Sequence, residues 1–336
     1  MSNALADRYR RFATVEAHGR SPLYEMICLS IADDPAVLAF LETLPASRRQ
    51  PNLLLAAVRH VAGTARDWPA FRGAVLDQGE AVRSIMLTRT TQTNEPARCA
   101  VLLPVLGRLP QPLALIEVGA SAGLCLLPDF YGYDYDGHRL LPAQADAPVF
   151  DCRTDAATPK PSALPVVAWR AGLDLAPVPA DDPRQAAWLE TLVWPEQTER
   201  LARLRSALRI AASVGPVVMP GDLLTDALER LCAQAPPDAT LVVYHTAVLA
   251  YVAEQAGREA FAARVRRLVP YWIANEAASV LPGIAAAAGP LPEAGSFLLS
   301  VNGTPMAWTD PHGGSMQWIG GTGSAAPRRR PDQASP

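Results

Sequence analysis

One short stretch combines small residues with an acid in a pattern that suits ligand binding. The apolar run Leu113–Val118 contains Glu117 and is followed by Gly119-Ala-Ser-Ala-Gly123. Small residues let the backbone turn tightly and approach a ligand, and a helix that follows offers free N–H groups. We therefore expect a cofactor site lined by Glu117, Gly119, Ser121 and Gly123. The alternative is a tight strand-to-helix turn that binds no ligand. Because the spacing is Gly-x-Ser-x-Gly, the Gly-x-Gly-x-x-Gly fingerprint of NAD-binding folds is not met.

Two further acids follow later apolar runs. Asp174 comes after Pro165–Arg170, and Asp222 comes after Gly215–Met219. An acid past the second strand of such a fold can accept hydrogen bonds from a ribose diol, and Asp222 would lie near an adenine amino group. Each acid also has a local alternative: Asp174 can close a turn, and Asp222 can cap the helix predicted from Leu223.

Two residues are candidates for catalysis. His245 follows the predicted strand Thr240–Tyr244, and Glu276 follows the predicted strand Tyr271–Ala274. Imidazole titrates near neutral pH and suits a general base, so we expect both side chains to face an acceptor. The alternatives are a buried histidine with satisfied hydrogen bonds and a glutamate that caps the next helix.

The elements that must position these residues alternate from residue 113 onward. Strand and helix patterns follow one another, which predicts a parallel sheet with helices on both faces and ligands at the carboxyl ends of its strands. Ser296–Val301 and Pro305–Trp308 flank Asn302-Gly303, a pattern typical of an antiparallel hairpin. Helical spacing fills residues 3 to about 108.

The predicted fold class is therefore α/β: a doubly wound, mostly parallel sheet with a C-terminal antiparallel hairpin, preceded by an all-helical domain. We place the helical domain at 1–110 and the α/β domain at 111–320, with an insertion at 124–165. The Gly-, Arg- and Pro-rich segment 321–336 is predicted to be a disordered tail.

Composition excludes several classes of function. The chain has 336 residues, 49% of them hydrophobic, and a net charge of −3, which does not favour binding to nucleic acid or to an anionic membrane. Its five cysteines are scattered without a Cys-x-x-Cys pair, so neither a disulfide framework nor a metal site is expected. No signal-peptide core or membrane-spanning run is present, and we expect a cytoplasmic protein.

The arrangement resembles the class I S-adenosylmethionine-dependent methyltransferases, and the whole chain is similar to the uncharacterised bacterial domain-of-unknown-function family 2332. The residues that carry the resemblance are Gln92-Thr-Asn-Glu95, Glu117-Val-Gly-Ala-Ser-Ala-Gly-Leu124, Gly172-Leu-Asp-Leu-Ala-Pro177, Trp194-Pro-Glu-Gln197 and Gly221-Asp222. The resemblance implies a methyltransferase-like fold, S-adenosylmethionine as cofactor and a small-molecule acceptor. We expect that acceptor in the cleft between the domains, near Asn94, Glu95 and Arg98. The alternative is that Asn94 caps a helix.

The chain departs from the methyltransferase pattern at two positions. Ser121 replaces the middle glycine of the turn, and Tyr244-His-Thr246 stands where amino-methylating enzymes carry Asn/Asp-Pro-Pro-aromatic. Two other functions therefore stay open. Ser121 could be the nucleophile of a serine hydrolase, with Asp222 or Asp226 as the acid and His245 or His312 as the base. The chain could also bind a nucleotide or a protein without catalysis.

Overall fold

The structure is a computed structural model that describes residues 3–320. The predicted tail, 321–336, lies outside the described residues. The described chain forms two compact units. The helical unit holds residues 3–93 and 183–202, and the sheet unit holds residues 94–182 and 203–320.

Six α-helices and a π-helical turn form the first segment of the helical unit, residues 3–93. Its elements are α1 (Asn3–Arg11), a π-helical turn (Phe12–Ala17), α2 (Pro22–Asp33), α3 (Pro35–Glu42), α4 (Pro51–Ala62), α5 (Trp68–Asp77) and α6 (Gly79–Thr88). The sequence fixes several helix starts through a capping side chain and a proline in the first turn. Ser21 accepts from the Tyr24 amide, and Asp34 accepts from the amides of Ala36 and Val37.

The unit boundaries differ from the predicted boundary near residue 110 in two places. α7 (Cys99–Leu106) belongs to the sheet unit, whereas α8 (Pro183–Leu192) belongs to the helical unit. α8 joins the helical unit because Trp188 is buried in that unit's apolar core. α8 ends before Trp194-Pro195, and α9 (Thr198–Val214) begins after this interruption.

The sheet unit is an α/β structure with a large, mostly parallel sheet. Its strands are β1 (Leu113–Val118), β2 (Gly132–Tyr135), β3 (His138–Leu140), β4 (Val149–Asp151), β5 (Arg153–Thr154), β6 (Val167–Asp174), β7 (Val217–Pro220), β8 (Thr240–Thr246), β9 (Tyr271–Ala277), β10 (Phe297–Val301), β11 (Thr304–Thr309) and β12 (Ser315–Trp318). Its remaining helices are α10 (Ala227–Cys232), α11 (Gln255–Leu268) and α12 (Pro282–Ala285).

The large sheet has nine strands in the order β5-β12-β11-β10-β9-β8-β1-β6-β7. The five strands from β7 to β9 are parallel, and β9, β10, β11 and β12 pair antiparallel in turn. β2, β3 and β4, which fall in the predicted insertion, form a separate small sheet. The chain order of the parallel strands reverses at β1, which has β6 on one side and β8 on the other.

The two faces of the sheet carry different side chains because successive residues of a strand point to opposite sides. On one face, Ile116, Val243 and Trp272 pack in a core with α10 and α11, and we call it the helix face. The residues between them point the other way, so Glu117 of β1 shares the opposite face with its register partner Tyr244 of β8. We call that side the Glu117 face.

Among residues 3–320, no helix is long and apolar enough to cross a membrane. All five cysteines are buried and free of disulfides.

Candidate functional site

The small-residue turn lies at the carboxyl end of β1, where the strand order reverses. Ligands of parallel α/β sheets bind at this kind of position. The backbone takes left-handed φ values at Gly119 (+75°), Ser121 (+50°) and Gly123 (+69°). The helix that the sequence predicted after the turn does not form: a short 3₁₀ turn, Leu124–Leu126, takes its place. Pro128 explains the difference, since a residue that precedes proline is disfavoured in helical geometry.

Asp174, at the end of β6, holds the turn in place. Its Oδ2 accepts a hydrogen bond from the Ser121 amide at 2.8 Å, and its Oδ1 accepts from the Ala176 amide at 2.8 Å. A carboxylate has about four lone-pair sites, so each oxygen can accept one further hydrogen bond. Asp174 is thus both the turn-closing residue and an acceptor at the edge of the turn.

Asn94 clamps the same turn from the other side. Its Nδ2 donates to the Ser121 hydroxyl at 3.0 Å, and its Oδ1 accepts from the Ala122 amide at 3.2 Å. Asn94 therefore does not cap a helix; Glu95 does so, by accepting from the Ala97 amide at 3.3 Å.

Every amide of the turn is engaged within the sheet unit. The three not yet named donate to backbone oxygens: Gly119 and Ala120 to Leu173 O at 2.7 and 3.3 Å, and Gly123 to Ala120 O at 2.7 Å. The turn consequently offers neither a cradle of free amides for a phosphate nor an oxyanion hole. Recognition of a ligand at this edge falls to side chains.

Glu117 is buried on the face opposite the helices. The residue is only 4% exposed, and its Oε2 has no hydrogen-bond partner among the described residues. Burial raises the pKa of this carboxyl well above its usual value, and the nearby Cys125 thiol raises it further, while the positive charge of Arg98 opposes them. The site thus contains a carboxyl group whose environment favours the neutral form.

Arg98 lies over the end of β8. Its Nε donates to Pro311 O at 2.8 Å, and its Nη1 donates to Thr246 O and Oγ1 at 3.2 and 3.4 Å. Arg98 is 6% exposed, and these partners are all uncharged oxygens. Sequence reasoning expected this residue near a substrate, and the structure places it next to the carboxyl ends of the central strands.

Asn275, on β9, extends the polar group across the sheet. It is the register partner of Thr246 on β8, and it accepts from the Thr309 hydroxyl of β11 at 2.8 Å through its Oδ1. Its Nδ2 is buried and has no partner among residues 3–320. Sequence reasoning missed Asn275, Thr246 and Thr309. The signal was available in part, because Thr246 and Asn275 each directly neighbour a residue that was singled out.

His245 and Glu276 do not join this group. Both lie on the helix face, where the His245 ring packs against Phe261 and Trp272. His245 Nδ1 donates to Glu276 Oε1 at 2.7 Å, with the proton assigned to Nδ1 because its partner is a carboxylate. Each side chain is one residue out of phase with the Glu117 face, so the two candidates for catalysis lie on the helix face of the sheet.

The His245–Glu276 pair acts on the turn indirectly. Glu276 Oε1 also accepts from the amides of Val248 and Leu249 at 2.9 and 3.1 Å, which fixes the loop after β8. A Cβ on Gly119 would lie 2.3 Å from Val248 Cγ2. Gly119 is required at this position by the close approach of Val248 as well as by its own positive φ.

The remaining predicted residues have local roles. Asp222 accepts from the Leu224 amide at 2.8 Å in the turn before α10, which begins at Ala227 rather than at Leu223. Asp226 precedes α10 and pairs with Arg230. His312 is exposed, and its amide donates to Asp310 at 2.8 Å.

The turn shares one feature with the nucleophile turn of serine hydrolases, but its surroundings differ in three others. The positive φ of Ser121 suits a nucleophile at a strained turn. However, the amide that follows Ser121 is bonded to Asn94, and His245 lies on the opposite face of the sheet. The short 3₁₀ turn also replaces the helix that a nucleophile elbow requires.

Comparisons with known proteins give one result. No curated protein matches the chain. A family model described as an uncharacterized protein conserved in bacteria matches residues 6–318. Because that match spans nearly all of the sequence, the chain belongs to this bacterial family, DUF2332.

Proposed function

We propose that the protein is an S-adenosylmethionine-dependent methyltransferase that acts on a small molecule. One observation carries the proposal: the Asp174 carboxylate, at the end of the second parallel strand, bonds to the small-residue turn at the end of the first, where the strand order reverses. Nucleoside-containing cofactors of open α/β sheets bind at such a place, with an acid of the neighbouring strand on the ribose.

The residues at this edge suit such a cofactor. Each oxygen of Asp174 accepts one amide and has capacity for one ribose hydroxyl. Asp222 follows the third parallel strand and would accept from an adenine amino group. The bound cofactor supplies an activated methyl group on a sulfonium centre. The chain's own task is to hold the acceptor in line with that group and to exclude water.

Asp174→Ala tests the cofactor site. In calorimetric titration with S-adenosylhomocysteine, we expect saturable binding to the wild type and a roughly 5- to 150-fold weaker affinity for the variant, the effect of an unpaired polar partner. Asp67→Ala is the matched control, because Asp67 also accepts a backbone amide but caps α5 in the helical unit. Its affinity should equal that of the wild type.

The same sample decides between the alternatives. Treatment with a fluorophosphonate should leave Ser121 unlabelled. Stoichiometric labelling without S-adenosylhomocysteine binding would replace the proposal with a serine hydrolase. Absence of both signals would favour a binding protein without catalysis, and equal affinity of the wild type and Asp174→Ala would remove Asp174 from the site.

A further inference from the structure

Five polar side chains form a buried row across the carboxyl end of the sheet on the Glu117 face. Four of them lie on strands of the large sheet, and the fifth lies directly before α7. All belong to the sheet unit. We call the row the Arg98 cluster, and its members are Arg98, Glu117, Thr246, Asn275 and Thr309. All five are less than 9% exposed, in a sheet whose other central residues are mostly apolar.

Arg98 carries the only permanent charge among the five members of the cluster. The Arg98 guanidinium is buried, and its hydrogen bonds go to uncharged oxygens of Thr246 and Pro311. Glu117 does not cancel this charge when burial keeps its carboxyl neutral. A buried cation is costly unless an opposite charge approaches it, so the cluster favours a bound anion.

Two atoms of the cluster lack partners. Glu117 Oε2 and Asn275 Nδ2 are buried, and neither has a hydrogen bond within the described part of the chain. Buried polar groups are nearly always paired in native proteins, and each exception calls for an explanation. The Thr309 hydroxyl donates to Oδ1 of the Asn275 amide, which identifies the unpartnered atom as Nδ2, a donor. The hydrogen bonds of Arg98 to Pro311 and Thr246 use Nε and Nη1, and Nη2 takes part in none of these three.

We propose that the Arg98 cluster binds the carboxylate of the small-molecule acceptor. The Arg98 guanidinium supplies the charge, Asn275 Nδ2 donates one hydrogen bond, and the Glu117 carboxyl borders the site. That the bound carboxylate belongs to a methyl acceptor rests on the proposed function, whereas carboxylate binding by the cluster does not.

A carboxylate matches this cluster better than a phosphate does. The cluster offers one positive charge and few donors, which balance a monoanion with two oxygens. A phosphate carries close to two negative charges near neutral pH, and a second buried charge would stay uncompensated. The location at the carboxyl ends of β1, β8 and β9 is also where ligands of parallel sheets bind.

Thermal unfolding of the full chain tests this inference without any cofactor. The probes are acetate, benzoate, phenylacetate and indole-3-acetate, each beside its neutral primary amide, with inorganic phosphate as a separate arm. We expect at least one carboxylate to raise the unfolding temperature by about 2 °C or more, with no shift from its amide or from phosphate.

Two variants locate the binding. Asn275→Leu and Arg98→Met should each abolish the carboxylate shift, and Asn275→Leu keeps the test valid if Arg98→Met does not fold. Asn52→Leu is the control, since Asn52 is an asparagine that bonds Trp194 in the helical unit. Its carboxylate shift should equal that of the wild type.

Three outcomes would overturn the inference: no shift with any carboxylate, an equal shift with the amides or phosphate, or a shift that survives Asn275→Leu. These outcomes are separable from those of the cofactor test. Carboxylate binding without S-adenosylhomocysteine binding would refute only the proposed reaction, and the reverse pattern would refute only the carboxylate pocket.

Discussion

The two faces of one sheet treat a buried glutamate in different ways. On the helix face, Glu276 Oε1 accepts from His245 and from two backbone amides and so fixes a loop, while its Oε2 has no partner among the described residues. On the other face, Glu117 has an unpartnered oxygen, and the nearest cation, Arg98, bonds to uncharged oxygens. Both glutamates thus keep one oxygen without a partner, and they differ in their surroundings: Glu276 is tied to a loop through Oε1, whereas Glu117 lies near the buried Arg98 guanidinium.

The loop after β8 connects the two faces. Glu276 holds the amides of Val248 and Leu249, and the Val248 side chain packs directly on Gly119 of the candidate turn. We expect the helix-face pair to position the turn through this loop. The following substitutions test that contrast, in order of expected effect.

Gly119→Ala should have the largest effect. The new Cβ would lie 2.3 Å from Val248 Cγ2 at a φ of +75°, so strain and overpacking add. We expect the free energy of unfolding in urea to fall by about 2–4 kcal/mol. Gly137→Ala is the control for strain alone, because its φ is +90° and nothing lies within 4 Å of the new atom. Equal losses in both variants would show that Val248 does not press on the turn.

Glu276→Gln should destabilise by about 2 kcal/mol in the same assay. The amide oxygen can still accept from the loop, but the variant loses the charged hydrogen bond with His245 in a buried setting. Hydrogen exchange of the amides of Gly119–Gly123 should become faster as the loop loosens. Unchanged exchange of these amides, together with reduced stability, would show that the His245–Glu276 pair does not influence the turn.

Ser121→Ala should cost about 1 kcal/mol. The variant loses the hydrogen bond from Asn94 Nδ2 and keeps an unfavourable φ of +50°. Ser84→Ala, on the exposed surface of α6, should change unfolding by less than about 0.5 kcal/mol. A larger loss of S-adenosylhomocysteine affinity than of stability would give the hydroxyl a direct role at the ligand.

Glu117→Gln should have the smallest effect at pH 5, and the effect should grow with pH. Burial raises the pKa of Glu117 above its usual 4.5, so the wild type is fully stabilised by the neutral group below that value. The wild type then loses stability as the pH rises towards the raised pKa, by at most about 1.4 kcal/mol per pH unit. The amide does not titrate, so the variant should become more stable relative to the wild type between pH 5 and pH 8. A constant difference across this range would mean that Glu117 is ionised throughout.

Much of the architecture could be predicted from local sequence. Buried parallel strands are apolar runs, which identified β1, β6, β8 and β9, and capping residues such as Ser21 and Asp34 mark helix starts in the sequence. The membership of α8 could not be predicted, because it depends on where Trp188 is buried and no periodicity records that contact. The missing helix after the turn depends on Pro128, a local signal that was outweighed by the small-residue pattern.

The candidate site could be predicted only at the level of strand ends. Asp174 was placed next to the turn because the ends of neighbouring parallel strands share one edge, and its hydrogen bond to Ser121 agrees with that. The faces could not be assigned, since the phase of each strand against its neighbour is a property of the register. A shift of one residue separates His245 from Thr246 and Glu276 from Asn275, and moves each to the other side of the sheet.

The helical unit is built from two separate segments of the chain, and this affects how it can fold during synthesis. Its core requires Trp188, from a segment that follows the first by roughly 90 residues, so the first six helices leave the ribosome with an incomplete core. At about 5–20 residues per second, that interval is between about 5 and 20 seconds. During it, the apolar faces of those helices are open to chaperones, and a fragment that stops near residue 180 never closes them.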